Sequence, residues 1–327
     1  MNPYQYTIKK PVYCRGIGLH SGKEVNLTIK PAEANSGICF VRSDIDEKKT
    51  IPAFMDRVSD TTHATTLSEN KIEIATTEHL LAALRGMGID NAAIELDAAE
   101  IPIMDGSANP FVLLLEKAGL RQQKSYRKAL RIVRKISYHD GDSFIHILPH
   151  EGCKISAEID FHNNFISRQG FSFELTPNNF TKEIATARTF GFAEEVDKLW
   201  ENGLALGGSL DNAVVIDRTG VVNLEGLRFD DEFVRHKVLD LIGDLSLLGC
   251  PLLGHVIAYK PGHGQHLGLM REIAANPDNW EIVELNKNGQ HSALGKMFTS
   301  TKAASTKFLP FLVPATPASF ATRSCHV

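Results

Sequence analysis

The sequence predicts an α+β protein of two similar domains facing each other across a site, and three patterns carry that expectation. Apolar residues at 234, 238, 241, 242, 245 and 248 repeat with the period of one buried helical stripe. Val25, Leu27 and Ile29 alternate with polar residues, as a half-buried strand does, until Pro31. A loose internal repeat joins the two halves. His20-Ser21-Gly22 precedes the strand from Val25 to Pro31, and His139-Asp140-Gly141 precedes a similar run from Phe144 to Pro149. Each half later supplies one helix that runs into a Gly-terminated turn and then a strand.

In chain order, Gly16 to Gly22 is turn-rich, and Asp60 to Leu67 is a threonine-rich approach to the first important helix. That helix begins at Thr76-Thr77-Glu78-His79, where either Thr can cap it and Glu78 suits the positive end of the helix dipole. Leu80, Leu84 and Met87 give it an apolar stripe. Gly88 and Asp90-Asn91 then turn the chain into a strand at 92–96, Ile101 to Ser107 is a loop, and Phe111 to Ala118 is a second helix. The polar, basic stretch Lys124 to Lys128 marks a domain boundary, giving domains 1–125 and 126–285.

In the second half, a strand Ala213 to Ile216 follows a helix-like run Ala193 to Asn202. This makes a small β–α–β insert at about 191–220, apolar enough to line a channel. Gly249 and Pro251 stop the helix over 234–248. The strand His255 to Tyr259 ends in Lys260-Pro261-Gly262-His263-Gly264, where His263, between two glycines, reads by itself as a loop residue. From 286 to 327 the composition shifts to Lys, Ser, Thr, Ala and Pro, the signature of a poorly ordered tail.

Composition narrows the function. With 327 residues, 43% hydrophobic and 23% charged, the chain has the profile of a soluble globular protein with a sizeable core. A net charge of −4, without a basic run carrying interleaved aromatics, gives no reason to expect nucleic acid as a partner. The five cysteines are scattered and never spaced as CxxC, which argues for a reducing compartment and against cysteine–metal ligation. The first residues lack the apolar core of a signal peptide, and no apolar run is long enough to span a membrane. A cytoplasmic location is expected.

The chemistry-bearing residues lie on the two helices. His236, Asp240 and Asp244 step by four, so their side chains stack along one helix face. An imidazole and a carboxylate at that spacing can reach one small cation, and Lys237 sits beside them. His79 is the best third ligand. Glu78 is adjacent to it and points about 100° away on a helix, so it suits a general base rather than a ligand.

Six stretches, taken in order over roughly 5–285, resemble the UDP-3-O-acyl-N-acetylglucosamine deacetylase family, the zinc amidases of lipid A biosynthesis. They are Gly18-Leu19-His20-Ser21-Gly22, Thr77-Glu78-His79-Leu80, Ile101 to Ser107, Ala187-Arg188-Thr189-Phe190-Gly191-Phe192, Arg235-His236-Lys237-Val238-Leu239-Asp240 and Gly262-His263. The resemblance implies two α+β domains with the site between them. It implies one catalytic Zn2+, or Fe2+ in the cell, held by His79, His236 and Asp240. Glu78 would be the base. Thr189 and Lys237 would lie beside the oxyanion, and His263, paired with Asp244, would donate a proton to the departing nitrogen. Phe192 would stand near the mouth of an acyl-chain passage in the insert, with Phe161 and Lys260 towards the UDP end. The substrate would be a small acylated UDP-sugar, the protein a monomer, and the reaction an early step of lipid A synthesis.

Two competing readings are a different zinc amidase or peptidase and a non-catalytic lipid- or nucleotide-binding protein. The HExxH run that usually marks a zinc peptidase is missing. A binding protein would have no need of Glu78.

Overall fold

The computed structural model describes residues 1–45, 49–161, 166, 168–286 and 291–293. It opens with β1 (Tyr4–Ile8), the hairpin β2 (Val12–Ile17) and β3 (Glu24–Pro31), then β4 (Ile38–Arg42) and β5 (Lys49–Pro52). A small meander of β6 (Val58–Asp60), β7 (Thr66–Glu69) and β8 (Ile72–Ile74) leads to α1 (Glu78–Gly86), β9 (Ala92–Leu96) and α2 (Asn109–Ala118). The main sheet here has the order β2-β3-β9-β4-β5, antiparallel except for the parallel pair β4·β9.

After β10 (Leu120–Tyr126) and β11 (Lys128–Ile132) comes a second hairpin, β12 (Ile136–Asp140) and β13 (Ser143–Leu148), followed by β14 (Cys153–Ile159) and β15 (Gln169–Glu174). A short α3 (Pro177–Asn179) precedes β16 (Phe190–Phe192), α4 (Ala193–Glu201), β17 (Val214–Asp217) and β18 (Gly220–Val221). Then come α5 (Glu232–Leu245), β19 (Leu252–Tyr259), α6 (His263–Ala275), β20 (Trp280–Leu285) and β21 (His291–Ala293).

In this second sheet β12-β13-β19-β14-β15 repeats the order of the first, again with one parallel pair, β14·β19. The weak sequence repeat is therefore a repeat of topology: hairpin, strand pair, helix, closing strand. Gly22 and Gly141, at φ of 64° and 60°, occupy the left-handed position that each hairpin turn requires. β11, β20 and β21 extend the second sheet, while β16 and β17 pair in parallel around α4.

α5 follows the expected stripe closely. It ends in a 3₁₀ turn at Ser246–Leu248, with Gly249 left-handed at φ 79°. α1 departs from the expected stripe: Leu81, Ala82 and Ala83 are buried along with Leu80 and Leu84, because α5 packs against it. Its expected threonine cap is also absent. Thr77 has helical backbone angles, and its hydroxyl donates to the Thr65 carbonyl at 3.0 Å instead. The stretch 124–128 includes exposed Lys124 and Lys128. It runs from β10, paired with β1, into buried Arg127, whose guanidinium holds Asp90 at 2.6 and 2.8 Å. His263 opens a helix rather than lying in a loop, since Leu267, Met270 and Ile273 supply a buried stripe that follows it. Past 286, residues 291–293 pair with β20, and the rest of the expected tail, 287–290 and 294–327, lies outside the described residues. No helix of the described residues is long and apolar enough to cross a membrane.

Candidate active site

The site forms where α5 presses on the first turn of α1. Gly243 makes this approach possible: a β-carbon there would lie 2.1 Å from the Glu78 carbonyl oxygen. Asp240 and Asp244 lie to either side of that contact, both near enough to act on the Glu78 charge, and Asp240 approaches His79. Just before α1, Thr76 takes a left-handed φ of 58°, costly for a β-branched residue, and its hydroxyl donates to buried Glu100 at 3.1 Å.

His79, His236 and Asp240 are all buried, and one ligand atom from each lies within 4.8 Å of the others. Asp240 Oδ1 is 3.3 Å from His236 Nε2 and 3.6 Å from His79 Nε2. Ligands bonded at ~2.0–2.1 Å around a tetrahedral ion stand ~3.3 Å apart, so the spacing fits zinc. The His236 Nδ1–H donates to the Ala187 carbonyl at 3.1 Å, which leaves Nε2 with its lone pair free for a cation. Burial, ahead of the nearby charges, pushes the His236 pKa down to about 3, so the ring is neutral.

Asp240 carries the strongest sign of a cation site. Burial would raise its pKa, but His236 and Lys237 override that and hold it well below the usual carboxylate range. Lys237 donates to Oδ2 at 2.9 Å, whereas buried Oδ1 accepts no hydrogen bond. Leaving a charged oxygen buried without a donor costs on the order of several kcal/mol. A cation between Oδ1 and the two Nε2 atoms would relieve that cost.

A second network adjoins the first. Asp244 Oδ2 accepts from the Nδ1–H of both His263 (2.7 Å) and His266 (2.6 Å), and Oδ1 accepts from the Thr65 hydroxyl (2.6 Å). Burial works against the His263 charge, but Asp244 and then Glu78 outweigh it and lift the pKa to about 9. Glu78 accepts from the Thr65 N–H at 3.0 Å, and its Oε1 lies 3.8 Å from His263 Nε2. Burial raises the Glu78 pKa against the opposing pull of His263 and His79, which increases its affinity for a proton.

Six of the expected residues, Glu78, His79, His236, Lys237, Asp240 and Asp244, thus converge with His263. Thr189 sits two residues beyond Ala187, its backbone tied to Gly106 and Val214. Phe161 and Phe192 meet edge-on at 5.8 Å, with Phe190 touching Phe161 at 5.7 Å and approaching the His236 ring at 6.2 Å. Lys260 stands apart from the metal-type cluster, paired with Asp142 at 2.6 Å. Sequence reasoning missed Thr65 and His266. His266 was within reach, because i, i+3 from His263 on a helix is the same face; Thr65 lay unremarked within a threonine-rich run.

A model of the UDP-3-O-acyl N-acetylglycosamine deacetylase family matches residues 5–275. Three bacterial UDP-3-O-acyl-N-acetylglucosamine deacetylases are similar over most of their length. The protein from Pseudomonas entomophila is 47% identical, over 85% of this chain and 93% of its own. That from Idiomarina loihiensis is 48% identical, over 86% and 94%. That from Myxococcus xanthus is 47% identical, over 86% and 91%.

Proposed function

The chain belongs to the UDP-3-O-acyl N-acetylglycosamine deacetylase family, and we propose that it hydrolyses the acetamide of UDP-3-O-acyl-N-acetylglucosamine, releasing acetate and the free amine for lipid A synthesis. The observation that carries the reading is the donorless Asp240 Oδ1 between two imidazole nitrogens, beside a buried glutamate and a charged histidine. In this reading His79, His236 and Asp240 hold one Zn2+, and Fe2+ suits the same two-imidazole, one-carboxylate set. The ion when bound supplies a Lewis acid for the carbonyl and eases deprotonation of water.

The protein's own groups do the rest. Glu78 takes the proton of the attacking water, its affinity for it raised by burial. Lys237, held over Asp240, adds positive charge near the carbonyl oxygen, and the Thr189 hydroxyl offers a donor there. His263, kept charged by Asp244, passes its proton to the departing sugar nitrogen as the C–N bond breaks. One water is consumed, its oxygen ending in acetate and its protons balanced between Glu78 and His263.

The acyl chain runs along the β16–α4–β17 unit, entered past Phe192, with Phe161 and Lys260 towards the UDP end. Two domains, 1–125 and 126–285 with an insert at about 191–220, agree with the repeated strand order. A cytoplasmic monomer fits the reading, and free Cys14, Cys153 and Cys250 agree with a reducing compartment. The test is acetate release by chelator-stripped protein titrated with zinc. Activity should climb to one zinc per chain. A folded, metal-binding protein that releases no acetate at any zinc level would overturn the reading.

A further inference from the structure

A cavity of about 410 Å³ opens beside the last turns of α1 and α5, and the chemistry above makes no use of it. Its walls come from the N-terminus, the last turn of α1, β14, β15 and the 3₁₀ turn after α5. They are largely apolar, including Met87, Leu120, Ile155, Leu175, Ile242 and Leu245. Half-buried Arg85 lines it, about two turns or roughly 10 Å along α1 from Glu78.

Among the described residues the Arg85 guanidinium has no hydrogen-bond or ion-pair partner. The nearby acids are already engaged. Asp90 is gripped by Arg127 at 2.6 and 2.8 Å and accepts from the Tyr6 N–H at 2.8 Å, while Glu174 meets His150 at 2.8 Å. Burial disfavours the Arg85 charge more than Asp90 supports it, so its pKa is lowered. An apolar cavity of ligand size with one uncompensated fork of N–H donors suits an apolar body carrying one carboxylate.

We propose that this cavity binds a medium-chain fatty-acid carboxylate, the aliphatic chain lying among the apolar walls and the carboxylate paired with Arg85. The site is distinct from the His79–His236–Asp240 cluster, and the inference does not rest on the deacetylase reading.

Cys153 and Cys250 line this cavity and report its occupancy, while half-buried Cys14, which is not among its lining residues, serves as the internal control. Burial raises their pKa values to about 12 and about 11, so modification is followed at alkaline pH with small, neutral methyl methanethiosulfonate and site-resolved mass spectrometry. Sodium laurate, below its micellar limit, should slow modification of Cys153 and Cys250 at least tenfold and leave Cys14 unchanged. The uncharged 1-dodecanol should protect at least fivefold less. R85Q should erase the difference between the two probes, and R85K should retain part of it. Equal protection by laurate and dodecanol in the native protein would overturn the proposal, as would undiminished laurate protection in folded R85Q. Laurate that binds without slowing either thiol sits elsewhere, at the metal ligands or the Phe161–Phe192 cluster, and overturns it too. Should R85Q fail to fold, the probe comparison in native protein and R85K decides.

Discussion

Replacing Asp244 by Asn tests the proton-donor role of His263 directly. The His263 pKa stands at about 9 against an ordinary 6.5, and after burial, which lowers it, the charge and hydrogen bond of Asp244 are the leading causes. A shift from 6.5 to about 9 corresponds to about 3 kcal/mol favouring the charged ring. D244N removes that support and leaves burial in place, so the pKa should return to 6.5 or below. If the charged ring is the donor, the alkaline limb of kcat/KM should move from about 9 to 6.5 or lower. At a pKa of 6.5 the loss would be roughly thirtyfold at pH 8 and under twofold at pH 6, from the protonated fractions alone. The sign for stability agrees. A raised His pKa contributes stability that is complete below 6.5 and lost as pH rises through about 9. The depressed Asp244 pKa contributes above 3.8 and is lost as pH falls below it, so the native protein's margin over D244N is greatest between 3.8 and 6.5. The assay is acetate release from pH 5 to 10, with the His263 resonances followed by NMR. An alkaline limb that stays put refutes the reasoning. So does a defect of equal size at every pH, which would assign Asp244 to geometry rather than to charge.

The other expectations are simpler. E78Q should keep one metal per chain by elemental analysis while turnover falls about 10²–10⁴-fold, the span of a lost general base; full activity would remove Glu78 from the mechanism. H236A should lose the metal, because two donors remain where three converge; retained stoichiometric zinc would exclude His236 as a ligand. G243A pushes a β-carbon to 2.1 Å from the Glu78 carbonyl, so α5 must move off α1. A loss of about 1–3 kcal/mol in urea unfolding, with weakened metal binding, is expected, and native stability would refute the close approach.

Much of the fold was legible because local chemistry agreed with the final packing. The stripe at 234–248 became α5, Gly249 stopped it, and the two hairpin turns kept their left-handed glycines. Where reading failed, a distant partner had overruled the local signal. Thr77 has the chemistry of a cap, yet its hydroxyl went to the Thr65 carbonyl in the loop just before β7. The amphipathic pattern of α1 gave way once α5 covered a second side of it. His263 read as a loop residue because its flanking glycines outweighed the apolar period that follows, and that oversight hid His266 as well.

The sharpest limit concerns Asp240 and Asp244, one helical turn apart and identical in kind. Their periodicity places them on one face and says nothing about how their roles divide. The division comes from donors that other elements bring. Thr65, His263 and His266, from a strand-side loop and from α6, satisfy both oxygens of Asp244, so it is free only to hold imidazoles and their charge. Asp240 receives one donor, Lys237 from its own helix, and keeps Oδ1 bare in a buried place. A carboxylate whose hydrogen-bonding capacity is filled has little left to offer a metal, and one left half bare pays for that state unless a cation arrives. The same residue type, four positions apart, becomes a charge holder or a ligand according to how many donors the tertiary structure delivers.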